Sequence, residues 1–241
     1  MVSDISVAAH GVTRDFGRFR AVDQIDLEVR RGEIFGLLGP NGSGKTTLIR
    51  MLTGILKPNA GSIMILGRKI PDISVMSRVG YMTQAIALYE DLTVRENVVF
   101  FASMCGVRDV GRIDAAIDLA DLADRAKSRV RNLSEGMKRR TSLACALVHE
   151  PEVLLLDEPT AGVDPRLRAS FWDYFKRIAE AGKCLIVSSH VMDEAERCTR
   201  FGFIRHGRLI ATGNYHELID QAKARSLEEA FLRFTEGGAD T

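Results

Sequence analysis

No stretch of the 241 residues approaches the ~20 consecutive apolar residues that a membrane-spanning helix requires, so a pore is not expected from this chain. The opening residues carry an early acid, Asp4, and no long apolar segment, which argues against a secretory signal. Cysteine is sparse. Cys105, Cys145, Cys184 and Cys198 lie far apart and none has C-x-x-C spacing, which speaks against a zinc site and a thioredoxin-like motif and for reduced, buried thiols in a cytosolic protein. An excess of one charge sign is missing as well. A formal net charge of +1 supplies no global field for nucleic-acid phosphates or anionic lipid, and no nucleic-acid partner is expected. There is no internal repeat and no low-complexity linker, which favours one structural unit with lobes over separate domains.

What is present is the composition of an ordinary folded protein, 46% hydrophobic and 27% charged, with enough apolar material for a sizeable core. Ile25 to Val29 and part of Ser62 to Leu66 alternate apolar and polar, as half-buried strands of a solvent-facing antiparallel sheet do. Ile34 to Leu38 is a short continuous apolar run. Glycines follow, and then Leu48, Ile49, Met51, Leu52, Ile55 and Leu56 at helical spacing, with the helix stopping before Pro58. Asp91 to Val130 reads as mostly helical, an insertion into an α/β core. Val153 to Leu156 and Cys184 to Val187 have the pattern of buried parallel strands. His206-Gly207 marks a hairpin. After about Gln221 comes a short amphipathic stretch around Leu227 and Phe231, ending in a polar Gly-Gly terminus expected to fray.

The loop between the first apolar run and its helix reads Gly39-Pro40-Asn41-Gly42-Ser43-Gly44-Lys45-Thr46, a full match to G-x-x-x-x-G-K-[ST] in the strand–loop–helix context that motif needs. Glycines let such a loop wrap phosphates, so that backbone N–H groups and the helix N-terminus point at negative charge. Lys45 would reach the outer phosphates, and the Thr46 hydroxyl would ligate Mg²⁺. A glycine-rich turn with a solvated lysine does not need the whole pattern. Asp157, at the carboxyl end of the second apolar run, suits a magnesium-positioning role, and Glu158 beside it could orient or deprotonate an attacking water. Adjacent acids after a strand can also simply open a loop; the phosphate cradle tips the balance towards function.

Leu133-Ser134-Glu135-Gly136-Met137, ahead of a helix and about twenty residues before Asp157, completes a set that resembles the ATP-binding subunits of ABC transporters, from about residue 5 to residue 220. Within that family the chain is most similar to exporters that work with small separate permeases, as in drug-resistance and ABC-2-type systems, on the phrases Gly-Met-Lys-Arg-Arg, Asp-Glu-Pro-Thr-Ala-Gly-Val-Asp-Pro and Leu-Glu-Glu-Ala-Phe. The resemblance implies an α/β fold, a P-loop NTPase core with an antiparallel β subdomain and a helical subdomain inserted at about 87–133, together forming an ATP-binding unit over 1–221 with a short tail at 222–241. It implies that Phe16 stacks on adenine with Val22 in the same pocket, and that Thr47 joins the cradle. Gln84 would touch Mg²⁺ and water, His190 the γ-phosphate, and Asp164 the opposite subunit. Ser134 and Gly136 would complete the site of a facing subunit, either a second copy or a paired ABC chain. The partner implied is an integral-membrane permease, contacted around Gln84 to Leu92 with Leu88 and Tyr89 as candidate residues, which places the chain on the cytoplasmic face of the membrane.

One position departs from the family pattern. Glu135 stands where the signature usually has glycine, and brings a carboxylate to a helix N-terminus that should face phosphate. An acid in the first turn complements the helix dipole by about 0.3–1 kcal/mol, and the expectation is that it points away from the ligand. The opposing outcome is repulsion of ATP and slow closure. Lys138-Arg139-Arg140 is expected to be a solvated helix face without nucleotide contact. Two other function classes stay open. A soluble ABC ATPase that remodels a macromolecule usually carries two nucleotide modules or a long coiled-coil insertion, and neither is seen here. A P-loop kinase would have no use for Leu133 to Gly136. ATPase activity without an added acceptor separates these.

Overall fold

The structure, a computed structural model, describes residues 4–236. In chain order its first half holds strands β1 (Ile5–Phe16), β2 (Phe19–Arg30) and β3 (Ile34–Leu38), helix α1 (Lys45–Leu52), strands β4 (Ala60–Ile65) and β5 (Arg68–Lys69), and the single helical turn α2 (Ile73–Met76). Strand β6 (Val79–Met82) and helices α3 (Val94–Met104), α4 (Val110–Leu119) and α5 (Glu135–Leu147) follow. Then come β7 (Val153–Asp157), α6 (Pro165–Glu180), β8 (Cys184–Ser189), β9 (Arg200–Arg205), β10 (Arg208–Gly213), α7 (Tyr215–Ala222) and α8 (Leu227–Glu236). The Gly-Gly terminus at 237–238 lies outside the described residues.

Two sheets face each other across α1. One is antiparallel, in the order β2-β1-β4-β5; the other runs β10-β9-β3-β8-β7-β6, parallel throughout except for the β9–β10 hairpin. The alternation in β2 does what its period demands: Ile25, Leu27 and Val29 are buried while Asp26 and Glu28 are exposed. The unbroken apolar run of β7 has the other cause. Val153 and Leu155 face the cluster around α1, whereas Leu154 and Leu156 face α6, so both faces are covered. On α6 the stripe Phe171, Trp172 and Phe175 packs there, each side chain worth about 1.5–3 kcal/mol on burial.

The helix after the cradle is shorter than its apolar spacing suggests. It ends at Leu52, because Gly54 takes a left-handed φ of +73° and turns the chain; Ile55 is left 70% exposed. The helical insertion forms its own cluster from Val94, Val98, Ile113 and Ile117, and α5 supplies Ala144 and Cys145 to it, joined by Val148 just past its end. The same helix turns Leu143, Ala146 and Leu147 towards β7 and α6, so α5 fastens the lobe to the core.

Two expectations are corrected. Lys138, Arg139 and Arg140 are half-buried and engaged: Lys138 pairs with Glu90 and Glu135, Arg139 donates to the Glu158 carbonyl, and Arg140 donates to the Asp121 carbonyl and carboxylate. The amphipathic stretch around Leu227 and Phe231 forms α8, with Phe231 and Phe234 ring centroids 5.3 and 6.2 Å from that of Phe203. Cys105 is exposed, whereas Cys145 and Cys184 are buried and Cys198 half-buried. Burial pushes those last three thiols well above the usual cysteine range, so they are poor nucleophiles.

Candidate functional site

The cradle lies at the carboxyl end of β3, where open α/β sheets place ligands. Two of its glycines are dictated by backbone proximity. A Cβ at Gly39 would meet the Ile204 carbonyl at 2.2 Å, and one at Gly44, itself at φ +110°, would meet the Ala21 carbonyl at 2.5 Å. Gly42, at φ +77°, has nothing within 4 Å of its missing side chain. Gly44 caps α1 with no side-chain bond to the first-turn N–H groups, leaving them to face an anion. Ser43 is 4% exposed and its hydroxyl has no partner. Buried orphans of that kind mark a site built around something else.

Lys45 is 5% exposed, and its ammonium donates to the Gly39 and Pro40 carbonyls at 2.8 and 3.0 Å. It also stands 3.6 Å from Glu158. Burial depresses its pKa below the usual lysine value, against the opposing pull of the Glu158 and Asp157 carboxylates.

Three oxygens converge beside it. The Thr46 hydroxyl sits 3.3 Å from Gln84 Oε1 and 3.2 Å from Asp157 Oδ1. Asp157 is fully buried at the end of β7; its Oδ1 also accepts from the Ser188 hydroxyl at 2.7 Å, while Oδ2 has no partner. A hydroxyl, an amide oxygen and an unsatisfied carboxylate oxygen are the hard donors that Mg²⁺ takes when phosphates and water supply the rest. Among the described residues no group of three or more His, Cys, Asp or Glu could hold a metal unaided.

Glu158 closes the arrangement. Its backbone is left-handed at φ +52°, a costly conformation for a residue with a side chain, and its neighbours impose it. Ser188 Oγ accepts from the Glu158 N–H at 3.0 Å, and Arg139 donates to its carbonyl at 3.1 Å. The carboxylate lies 2.7 Å from His190 Nδ1. When Glu158 is ionised its carboxylate only accepts, and that ring nitrogen is then the donor. Lys45, Thr46, Gln84, Asp157, Glu158 and His190 are thus joined by direct contacts, although they come from four separate stretches of chain.

Other expected site residues sit elsewhere. The cleft of about 250 Å³ over the cradle is lined by Asn41, Gly42, Gly44, Lys45, Thr46, Thr47, Gln84 and Glu158, with Phe19 and Ala21 as its other wall. Val22 is fully buried in the core and does not line it. Phe16 lies outside that wall too, half-exposed with the Arg14 guanidinium over its ring at 4.7 Å. Phe19 and Ala21 belong to no motif, yet the sequence holds a signal for Phe19: Gly17 and Arg18 form a two-residue turn that pairs Phe16 with Phe19 across the hairpin. Ser188 carries no motif of its own. Only its placement between Asp157 and the Glu158 N–H reveals it.

Ser134, Gly136 and Asp164 do not line the cleft. Ser134 is exposed and caps α5, accepting from the Met137 N–H at 3.3 Å, and Asp164 is exposed and caps α6, accepting from Leu167 N–H at 3.1 Å. A Cβ on Gly136 would come within 3.6 Å of the Gly162 carbonyl, so the two helix starts are neighbours. The Glu135 side chain is 76% exposed and bound to Lys138 at 3.3 Å.

The family model described as ABC transporter matches residues 22–161. The chain is 40% identical over 240 residues to the probable multidrug ABC transporter ATP-binding protein YbhF of Escherichia coli (strain K12), covering 94% of this chain and 41% of that protein. To the Nod factor export ATP-binding protein I of Sinorhizobium fredii (strain NBRC 101917 / NGR234) it is 39% identical over 225 residues, 91% of this chain and 66% of that one. The chain therefore spans less than two thirds of the length of both relatives. Among solved structures, an ATP-binding subunit of an ABC transporter superposes with a TM-score of 0.86 at 26% identity, covering 95% of this chain and 99% of the other. A dimeric ATP-binding cassette in a post-hydrolysis state, bound to ADP and Pi, shares the fold with a TM-score of 0.78 at 24% identity, over 86% of this chain and 98% of that one.

Proposed function

Since the chain belongs to the ABC transporter family, we propose that it is the nucleotide-binding subunit of an exporter: it binds and hydrolyses ATP between two paired subunits and so drives a separate integral-membrane permease. The observation that carries this is the meeting of Lys45, Thr46, Gln84, Asp157, Glu158 and His190 at one cleft, with the Asp157 Oδ2 and Ser43 Oγ atoms left for a ligand.

In this reading the cradle N–H groups and Lys45 bind the phosphates, while Asn41, Gly42, Ser43, Gly44 and Thr47 shape the loop around them. Thr46, Gln84 and Asp157 would hold Mg²⁺, which supplies positive charge against the phosphate oxygens. Glu158 orients a water on the γ-phosphorus and takes its proton as the bond to the bridging oxygen breaks, giving ADP and phosphate. His190 steadies Glu158 and faces the γ-phosphate, and Phe19 and Ala21 offer a wall for the base. Ser134, Gly136 and Asp164 belong to the neighbouring subunit's site, which agrees with their position away from this chain's cleft, Ser134 and Asp164 being exposed and Gly136 half-buried. The ATP-binding unit is 1–221, with its helical lobe from about 87 and the remainder as a tail. No described helix is long and apolar enough to cross a membrane, and the permease would hold the chain on the cytoplasmic face. The functions named for the two relatives, multidrug transport and Nod factor export, favour export.

The test is ATP turnover by the purified protein with Mg²⁺ and no acceptor, beside Glu158→Gln. The variant is expected to bind ATP, lose turnover and accumulate as an ATP-dependent dimer in size-exclusion chromatography. Turnover at the wild-type rate in the variant removes Glu158 from its role, and an ATP-bound monomer at every concentration removes the paired site.

A further inference from the structure

We infer that Glu194 is a positioning residue for ATP hydrolysis: a buried carboxylate that ties the loop after β7 to the loop after β8 and thereby keeps Glu158 and His190 in contact. The inference rests on the reading of the chain as an ATPase.

Glu194 lies on the 3-10 segment Met192–Arg197 and is 3% exposed. An acid so placed is costly unless its lone pairs are met. Here donors from three directions meet them. Oε1 accepts from the Thr160 hydroxyl at 2.6 Å and from the Trp172 indole N–H at 3.4 Å, and Oε2 accepts from the Ser189 hydroxyl at 2.6 Å. Arg168 Nε stands 3.9 Å away as ion-pair partner.

The donors decide what the carboxylate does. Thr160 is two residues beyond Glu158, and Ser189 immediately precedes His190. The Ser189 hydroxyl also accepts from the Val191 N–H at 3.0 Å, so the group bound by Glu194 also shapes the turn that carries His190. Trp172 belongs to the rigid α6 stripe packed on β7 and β8, which anchors the network to the core. Glu158 and His190 touch through one 2.7 Å contact, and Glu158 is held in a left-handed conformation that its own φ preference does not supply. A network of short bonds bridging the two loops is what such a contact needs. Through Arg168, which also donates to the Val163 carbonyl at 3.5 Å, the network reaches the residue before Asp164. Glu194 itself is not among the residues that line the cleft.

The experiment measures steady-state hydrolysis, equilibrium ATP binding and thermal unfolding on the full chain for wild type, Glu194→Ala, Glu194→Gln, Thr160→Val, Ser189→Ala and the doubles with Glu194→Ala. Expected is a fall in kcat of about tenfold or more in Glu194→Ala with the ATP Kd changed by less than about threefold. Glu194→Gln, which keeps the shape and one acceptor, should recover part of the loss. Thr160→Val and Ser189→Ala should each lower kcat, and neither should add fully to Glu194→Ala, since they break the same network. A folded Glu194→Ala at wild-type kcat overturns the inference, as does loss of ATP binding in step with kcat, or full additivity in the doubles. Should Glu194→Ala fail to fold, wild-type kcat in Thr160→Val and Ser189→Ala overturns it equally. Absence of hydrolysis by the wild type removes the ATPase reading and this inference with it, whereas hydrolysis unaffected by these variants removes this inference alone.

Discussion

Lys45 shows how one residue can be unfavourable for the fold and yet be the one on which the proposed phosphate binding depends. Its ammonium is buried, and the loss of hydration outweighs the attraction of Glu158 and Asp157, so its pKa is depressed. Between that depressed value and the ordinary 10.5, the unfolded chain binds a proton that the folded chain does not, so this group makes stability rise with pH across the window. Denaturant titrations at stepped pH should show wild type gaining on Lys45→Ala as pH climbs towards 10.5; a constant difference means that the side chain is not desolvated. Equilibrium binding should show Lys45→Ala losing ATP affinity by about tenfold or more, the equivalent of at least about 1.4 kcal/mol. Unchanged affinity counts against the cradle. Lys45, Thr46, Asp157 and Glu158 were legible as residues because their motifs are local. Phe19 and Ser188 were not, since what marks them is a neighbour across a hairpin or on the next strand.

Among the elements, α3 has the clearest local specification. Thr93 caps it and accepts from the Glu96 N–H, while the Glu96 side chain returns to the Thr93 backbone, a reciprocal capping box. The Thr93 backbone N–H, and after it the Thr93 hydroxyl, hold Glu96 below the usual carboxylate range. This contribution is present above pH 4.5 and is lost as pH falls through the depressed value. Thr93→Ala should lower stability by about 1 kcal/mol in a denaturant titration at neutral pH, and a midpoint equal to wild type would show that the lobe does not depend on this cap. Asn97, fully buried, adds bonds to the Tyr89 and Thr93 carbonyls and accepts from the Tyr89 N–H, fixing the chain that enters the helix. Apolar period locates α1 and the stretch holding α8, but it overruns the end of α1 at Gly54. The cause is that period reports which face is apolar, and neither where a left-handed residue turns the chain nor what a terminal helix packs on.

At the scale of the whole molecule, the starts of α5 and α6 stand together on the surface and leave the cleft to other residues. Glu135 bears on this edge. Its carboxylate is exposed and paired with Lys138, so under the proposed pairing of subunits the α5 N-terminus would stay open to a phosphate from the facing chain. Glu135→Gly is therefore expected to retain ATP-dependent dimerisation at near wild-type strength in sedimentation experiments; dimers tighter by about tenfold would show instead that the acid repels the nucleotide. By itself the sequence determined the chemistry of the loops and the α/β layering, because a phosphate cradle, an acidic strand end and two-sided apolar strands are each written in a few consecutive residues. The tertiary structure alone decided which of those residues meet: Thr46 reaches Gln84 and Asp157 across 38 and 111 positions, and Glu158 reaches His190 across 32. Such contacts follow from the order in which strands lie side by side, a property of the assembled sheet that no local pattern encodes.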